Sequence, residues 1–118
     1  MPSYHPLDQS LRQIRLAHIL PTQSERIDVE LQTVSLDDNP VYDALSYCWG
    51  NPKHRATIRI NGQAREVTVS LEAALRVLRN KSQGNIVVLW ADSICINQRD
   101  TRERGQQVSI MPDIYRSA

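Results

Sequence analysis

The pattern of apolar and polar positions predicts an α/β domain organised around one buried strand. Residues 86–91 read Ile-Val-Val-Leu-Trp-Ala, an almost unbroken apolar run rich in β-branched side chains. A strand with one face in water alternates apolar and polar residues, so this run predicts a strand over about residues 86–92 that is buried on both faces and central in a mixed sheet. Polar residues follow from Asp92 onward, at what would be the carboxyl end of that sheet.

Alternating patterns predict the other strands. Residues 12–20 and 27–33 alternate apolar with polar side chains and are close enough in the chain to pair with each other. Residues 42–50 form a second, mostly apolar strand. Between about residues 56 and 69, two alternating runs flank Asn61-Gly62, which predicts a β-hairpin with a type I′ turn because both central residues need a positive φ.

Helical spacing of apolar residues predicts a first main helix over about residues 71–80. Ser70 precedes it and is of a residue type that caps helices by accepting a backbone hydrogen bond. The expected buried stripe consists of Leu71, Ala74, Leu75 and Leu78. This stripe belongs to the core and not to a site.

A second main helix is predicted over about residues 101–117. Asp100 and Glu103 fit a capping-box pattern at its start. Pro112 predicts a kink or a break, because proline removes a helical hydrogen bond. The expected buried stripe consists of Val108, Met111, Ile114, Tyr115 and Ala118.

At 118 residues, the chain has the length of one domain. Residues 1–10 are polar, contain two prolines and are expected to be a flexible lead-in to a domain over residues 11–118. The last predicted helix reaches Ala118 without a capping residue, so we expect the domain to be truncated at its C-terminal end.

Charge and cysteine content narrow the function classes. A net charge of +1 gives no argument for binding nucleic acid or a membrane surface. Neither a signal peptide nor an apolar run long enough for a membrane helix is present, which favours a cytoplasmic protein. Cys48 and Cys95 lie in apolar segments without metal-ligand spacing, so we expect two buried, reduced thiols and no metal site.

Three sequence blocks occur in order along the chain: Tyr-Asp-Ala-Leu-Ser-Tyr-Cys-Trp-Gly (42–50), Leu-Glu-Ala-Ala-Leu-Arg (71–76) and Leu-Trp-Ala-Asp-Ser-Ile-Cys-Ile-Asn-Gln (89–98). Together they resemble the heterokaryon incompatibility (HET) domain of filamentous fungi, over about residues 14–118. The resemblance implies the front portion of that domain and a role in non-self recognition between strains, leading to programmed cell death. It also implies partners, which are either other incompatibility proteins or further copies of the chain.

The HET family has been compared with TIR domains, some of which cleave NAD at its glycosidic bond. Such a cleavage develops an oxocarbenium-like centre that a carboxylate stabilises. Asp92 and Glu103 are therefore the candidate catalytic residues, with NAD as a possible substrate and no cofactor required. The structural alternatives are that Asp92 fixes the loop over residues 94–98 and that Glu103 closes the capping box. Whether the chain is an enzyme stays open.

The candidate binding residues share aromatic, hydroxyl, amide or guanidinium groups that suit a nucleotide or a protein surface: Ser46, Tyr47, Trp49, Asn97, Gln98 and Arg99. A packed tryptophan and a solvated arginine face are the alternatives. Glycine-rich nucleotide-binding signatures are absent. Three hypotheses therefore remain: a signalling domain that acts by association, a TIR-related NAD glycohydrolase, and an inactive domain fragment.

Overall fold

The computed structural model describes residues 6–21, 26–45 and 54–118, whose strands form one mixed sheet. The strands are β1 (Gln13–Ile19), β2 (Asp28–Ser35), β3 (Asp43–Ala44), β4 (Arg55–Ile60), β5 (Gln63–Thr68) and β6 (Val87–Trp90). Their order is β3-β6-β1-β2-β4-β5. The β2–β4 and β3–β6 pairs are parallel and the β4–β5 pair is antiparallel, so the predicted mixed α/β architecture is confirmed.

The helices are α1 (Val69–Lys81), α2 (Asp92–Cys95) and α3 (Thr101–Ser117), and two short 3-10 turns cover Gln9–Leu11 and Leu36–Asp38. The two main helices are therefore confirmed. In the described part of the chain, no helix has the length and apolar character that crossing a membrane requires. The described residues fall into two compact units: residues 6–17, 32–45 and 88–118, and residues 18–21, 26–31 and 54–87.

The second unit contains the predicted hairpin. Strands β4 and β5 pair from Arg55 opposite Thr68 to Ile60 opposite Gln63. Asn61 and Gly62 have φ values of 52° and 80°, as a type I′ turn requires. The backbone N–H of Leu31 donates to Asn61 Oδ1 at 2.9 Å, so the turn is also tied to β2.

Helix α1 begins earlier than its sequence pattern predicts. Thr68 is its capping residue, with Oγ1 accepting a hydrogen bond from the Leu71 backbone N–H at 3.2 Å, so the prediction of Ser70 as the cap is wrong. The reason is that β5 leads into the helix without a loop, and Thr68 still has the extended backbone that a capping residue needs. Leu71 and Leu75 are fully buried, as predicted, whereas Ala74 and Leu78 are half-buried.

In the first unit, β6 has neighbours on both sides and its last two residues, Leu89 and Trp90, are buried. The strand is shorter than predicted. Ile86 precedes it and is 53% exposed, so this residue lies outside the strand. The predicted strand over residues 42–50 is seen as β3 alone, since residues 46–50 lie outside the described residues.

Helix α3 is continuous from Thr101 to Ser117, so a break at Pro112 is wrong, whereas the alternative of a kink stays a prediction. Pro112 lies on the exposed side of the helix, one turn after Val108, which is 55% exposed. The carbonyl that loses its helical donor therefore faces water, which can replace the missing hydrogen bond.

The buried face of α3 also differs from the prediction. Glu103, Gln107 and Ile114 are buried, whereas the predicted stripe members Val108, Tyr115 and Ala118 are exposed. Spacings of four and seven residues place the three buried side chains on one helical face. The pattern of apolar residues misplaced this face because two of its three members are polar.

We expect Thr68→Ala to lower the free energy of unfolding by about 1 kcal/mol, because the substitution removes the capping acceptor of α1. Ser70→Ala is the matched control and is expected to change it by less than about 0.5 kcal/mol. Urea denaturation followed by tryptophan fluorescence measures both. A larger loss for Ser70→Ala would contradict the assignment of the cap.

Candidate functional site

The candidate site is the segment of residues 92–100 between β6 and α3, here called the 92–100 loop, which contains α2. The structure brings together the following predicted site residues on this loop and the first turn of α3: Asp92, Asn97, Gln98, Arg99 and Glu103. The other three, Ser46, Tyr47 and Trp49, lie outside the described residues.

Glu103 is buried and forms an ion pair with Arg15 on β1. The residue is 6% exposed, and its carboxylate accepts two hydrogen bonds from one guanidinium, from Nη1 to Oε2 and from Nη2 to Oε1, both at 2.7 Å. Arg15 is 2% exposed, and its Nη1 also donates to the Cys95 carbonyl at 3.2 Å. This paired geometry is the strongest that arginine and a carboxylate form.

Arg15 was missed by sequence reasoning. The alternating pattern of residues 12–20 puts an arginine at this position on the polar side of a strand, yet residues 14–17 are all buried. The available signal was an arginine inside a run of apolar residues. That signal does not identify the acidic partner of Arg15, because Glu103 follows 88 positions later in the chain.

Only one of the two hydrogen bonds of the predicted capping box forms at the start of α3. Asp100 Oδ1 accepts a hydrogen bond from the Glu103 backbone N–H at 3.1 Å. The Glu103 carboxylate does not complete the box at Asp100. Its Oε2 accepts instead from the backbone N–H of Asn97 at 2.6 Å, while the Asp100 N–H donates to the Asn97 carbonyl at 3.1 Å. Glu103 therefore closes the loop three residues further back.

The amide side chains of the 92–100 loop bind its own backbone. Gln98 Nε2 donates to the Asp92 carbonyl at 2.8 Å, and the Arg99 backbone N–H donates to Asn97 Oδ1 at 3.2 Å. The second contact is an Asx-type turn. Both amides therefore fix the shape of the loop.

Asp92 follows the carboxyl end of β6 and has a half-buried side chain. Burial raises the pKa of Asp92, and hydrogen bonds from the backbone N–H groups of Ser93 and of Asp92 itself oppose that rise. A partly accessible carboxyl with a raised pKa is suited to proton transfer or to stabilising developing positive charge.

Cys95 is a free thiol that is fully buried, as the sequence predicts. Burial raises the pKa of the Cys95 thiol to about 12, although the Ala91 N–H donates to its sulfur at 3.4 Å. The thiol is therefore protonated and unreactive at neutral pH. Cys48 lies outside the described residues. Within the described ranges, no three His, Cys, Asp or Glu side chains are grouped so that they could hold a metal ion.

Three arginines lie on the outside of the 92–100 loop and the first turn of α3. Arg99, Arg102 and Arg104 are exposed, and none of them forms an ion pair with another described residue. Arg102 and Arg104 are two positions apart and flank the buried Glu103, so the three cations surround the start of α3; we call these three residues the arginine surface. Its cations are available to an external partner, unlike the buried guanidinium of Arg15.

We expect Asp92→Asn to be more stable than the parent chain at pH 7 and equal to it below about pH 3.8. The raised pKa means that the folded chain keeps a proton which the unfolded chain releases just above pH 3.8, so stability falls as pH rises through that window. Urea denaturation at pH 3.5 and pH 7 measures the difference, with exposed Asp43→Asn as control. A stability difference that is the same at both pH values would contradict the assignment.

Comparison with known proteins gives the family. Residues 42–118 match the family model described as Heterokaryon incompatibility protein (HET). The chain is 35% identical over 118 aligned residues to Heterokaryon incompatibility protein 6, OR allele, of Neurospora crassa. That alignment covers 89% of this chain and 17% of the relative, so the chain spans about a sixth of the relative's length. No solved structure gives a significant match.

The family match includes the whole of β6, the 92–100 loop and α3, which are the elements that build the candidate site. The resemblance carried by the three sequence blocks is thereby confirmed. The chain belongs to the heterokaryon incompatibility (HET) family.

Proposed function

We propose that this chain acts in the cytoplasm of a fungal cell as an incompatibility domain, which recognises non-self through a protein partner and leads to programmed cell death. The observation that carries the proposal is the arrangement of polar groups in the 92–100 loop and the first turn of α3. Glu103, Asn97 and Gln98 bind groups of the protein itself, whereas the arginine surface faces outward. A site of this kind is better suited to binding than to turnover.

The loop suits recognition because it is fixed before a partner arrives. A preformed surface loses little conformational entropy on binding. Arginine is enriched at protein interfaces and pairs well with carboxylates. The partner is therefore another incompatibility protein, or a further copy of this chain, that presents acidic side chains to the arginine surface.

We expect a double charge reversal, Arg102→Glu with Arg104→Glu, to abolish the growth arrest that follows expression of the chain in an incompatible strain. The substitutions reverse the charge offered to the partner and leave the fold intact, since acidic residues are favourable in the first turn of a helix. Colony growth and cell viability measure the response, and thermal unfolding checks the fold.

The matched control is Arg55→Glu with Arg59→Glu, an equal charge change at exposed positions of β4. This control is expected to keep the growth arrest. Retention of the arrest by the Arg102/Arg104 variant, or its loss in both variants, would show that the arginine surface does not mediate recognition.

A second candidate function is hydrolysis of NAD at its glycosidic bond, which the accessible carboxyl of Asp92 favours. In that case, Asp92 stabilises the developing positive charge. Glu103, as the other candidate, would first have to leave Arg15 and the Asn97 N–H. The arginine surface would bind the pyrophosphate.

Incubation with NAD decides between the two functions. Under the recognition proposal, we expect no release of nicotinamide above a protein-free blank at any protein concentration. The recognition proposal fails if nicotinamide is released and either Asp92→Asn or Glu103→Gln abolishes that release at an unchanged melting temperature. The control Asp43→Asn must keep the release. The variant that loses it then identifies the catalytic carboxylate.

A further inference from the structure

Arg15 is a buried cation in the interior of the first unit. It is 2% exposed and lies on β1 between Ile14 and Leu16, which are themselves buried. Removing a guanidinium from water is unfavourable unless its donors find acceptors. The acceptors among the described residues therefore identify elements that Arg15 connects.

Among the described residues, the acceptors include groups of two elements that follow β6. Nη1 and Nη2 each donate to one oxygen of Glu103 at 2.7 Å, and Nη1 also donates to the Cys95 carbonyl at 3.2 Å. The first contact reaches α3, and the second reaches the end of α2. One guanidinium thus connects both ends of the turn that contains Asn97.

Glu103 also contacts the 92–100 loop directly. Its Oε2 accepts from the Asn97 backbone N–H at 2.6 Å as well as from Arg15. The acceptor for that N–H is a side chain, whose rotation is fixed by the paired contact with the guanidinium. The contacts of Gln98 and Arg99 begin and end within the loop and do not fix its position relative to β1.

We infer that Arg15 is a positioning residue for the 92–100 loop: acting through Glu103 and the Cys95 carbonyl, it sets the conformation in which the arginine surface is presented. The importance of that conformation for recognition rests on the proposed function. The positioning itself is a separate property and is measured separately.

The chain offers a matched control at the next turn of α3. Gln107 is fully buried, and its Nε2 donates to the Gln13 carbonyl of β1 at 3.0 Å. This contact also joins α3 to β1, but it does not reach the loop. Gln107→Leu therefore weakens the same helix–strand contact without changing the Asn97 hydrogen bond.

The decisive variant is Arg15→Met with Glu103→Gln. It removes the paired contact, leaves no unpaired buried charge and keeps a neutral acceptor near Asn97. We expect hydrogen exchange of the Asn97 amide, measured by NMR, to become at least about tenfold faster relative to the slowest core amides, as expected for loss of a charge-assisted hydrogen bond. Arg15→Lys keeps the charge but cannot form the paired contact with both oxygens of Glu103, and we expect a smaller increase in the exchange rate of the Asn97 backbone amide.

Two outcomes of the exchange measurement decide the inference. Faster exchange at Asn97 in the double variant, with unchanged exchange in Gln107→Leu, supports positioning by Arg15. Unchanged Asn97 exchange together with a lower melting temperature would show that the ion pair stabilises the fold only, and would overturn it. Where exchange rises but the growth arrest persists, the positioning stands and the recognition role of the loop fails.

Discussion

The ion pair between Arg15 and Glu103 is the interaction on which the site depends. Such a pair contributes little net stability, because desolvation of both ions offsets their attraction. Loss of one partner leaves a buried charge and is destabilising by about 3–5 kcal/mol, whereas apolar replacement of both is often neutral. The pair therefore matters for what it specifies, which is the position of α3 and of the loop before it.

The position that the ion pair specifies is the register of α3 along its own axis relative to β1. A helix that slides by one turn moves about 5.4 Å along its axis, which would bring Gln107 to the place of Glu103. Arg15 would then face a neutral amide and would keep an uncompensated buried charge. An apolar face offers no comparable penalty, so the polar residues on the buried side of α3 select one docking position out of several.

The sequence predicted those features that depend on neighbouring residues. The hairpin follows from Asn61-Gly62, and the short strand β6 follows from the apolar run before Asp92. The location of the site after that strand stays a prediction. The environment of Glu103 could not be predicted, because it depends on Arg15, 88 positions away. The buried face of α3 could not be predicted either, because buried Gln107 binds the distant Gln13 carbonyl. The periodicity of apolar residues gives no signal when a polar side chain is buried with its partner.

The docking of α3 also leaves much of its surface free to diverge. Glu103, Gln107 and Ile114 are its buried residues, and most other positions along its 17 residues are exposed. Substitutions at those positions alter the outer surface without disturbing the contacts to β1. A lineage of such domains can therefore change its outer surface by substitution at these positions, while the helix and the loop before it keep their place.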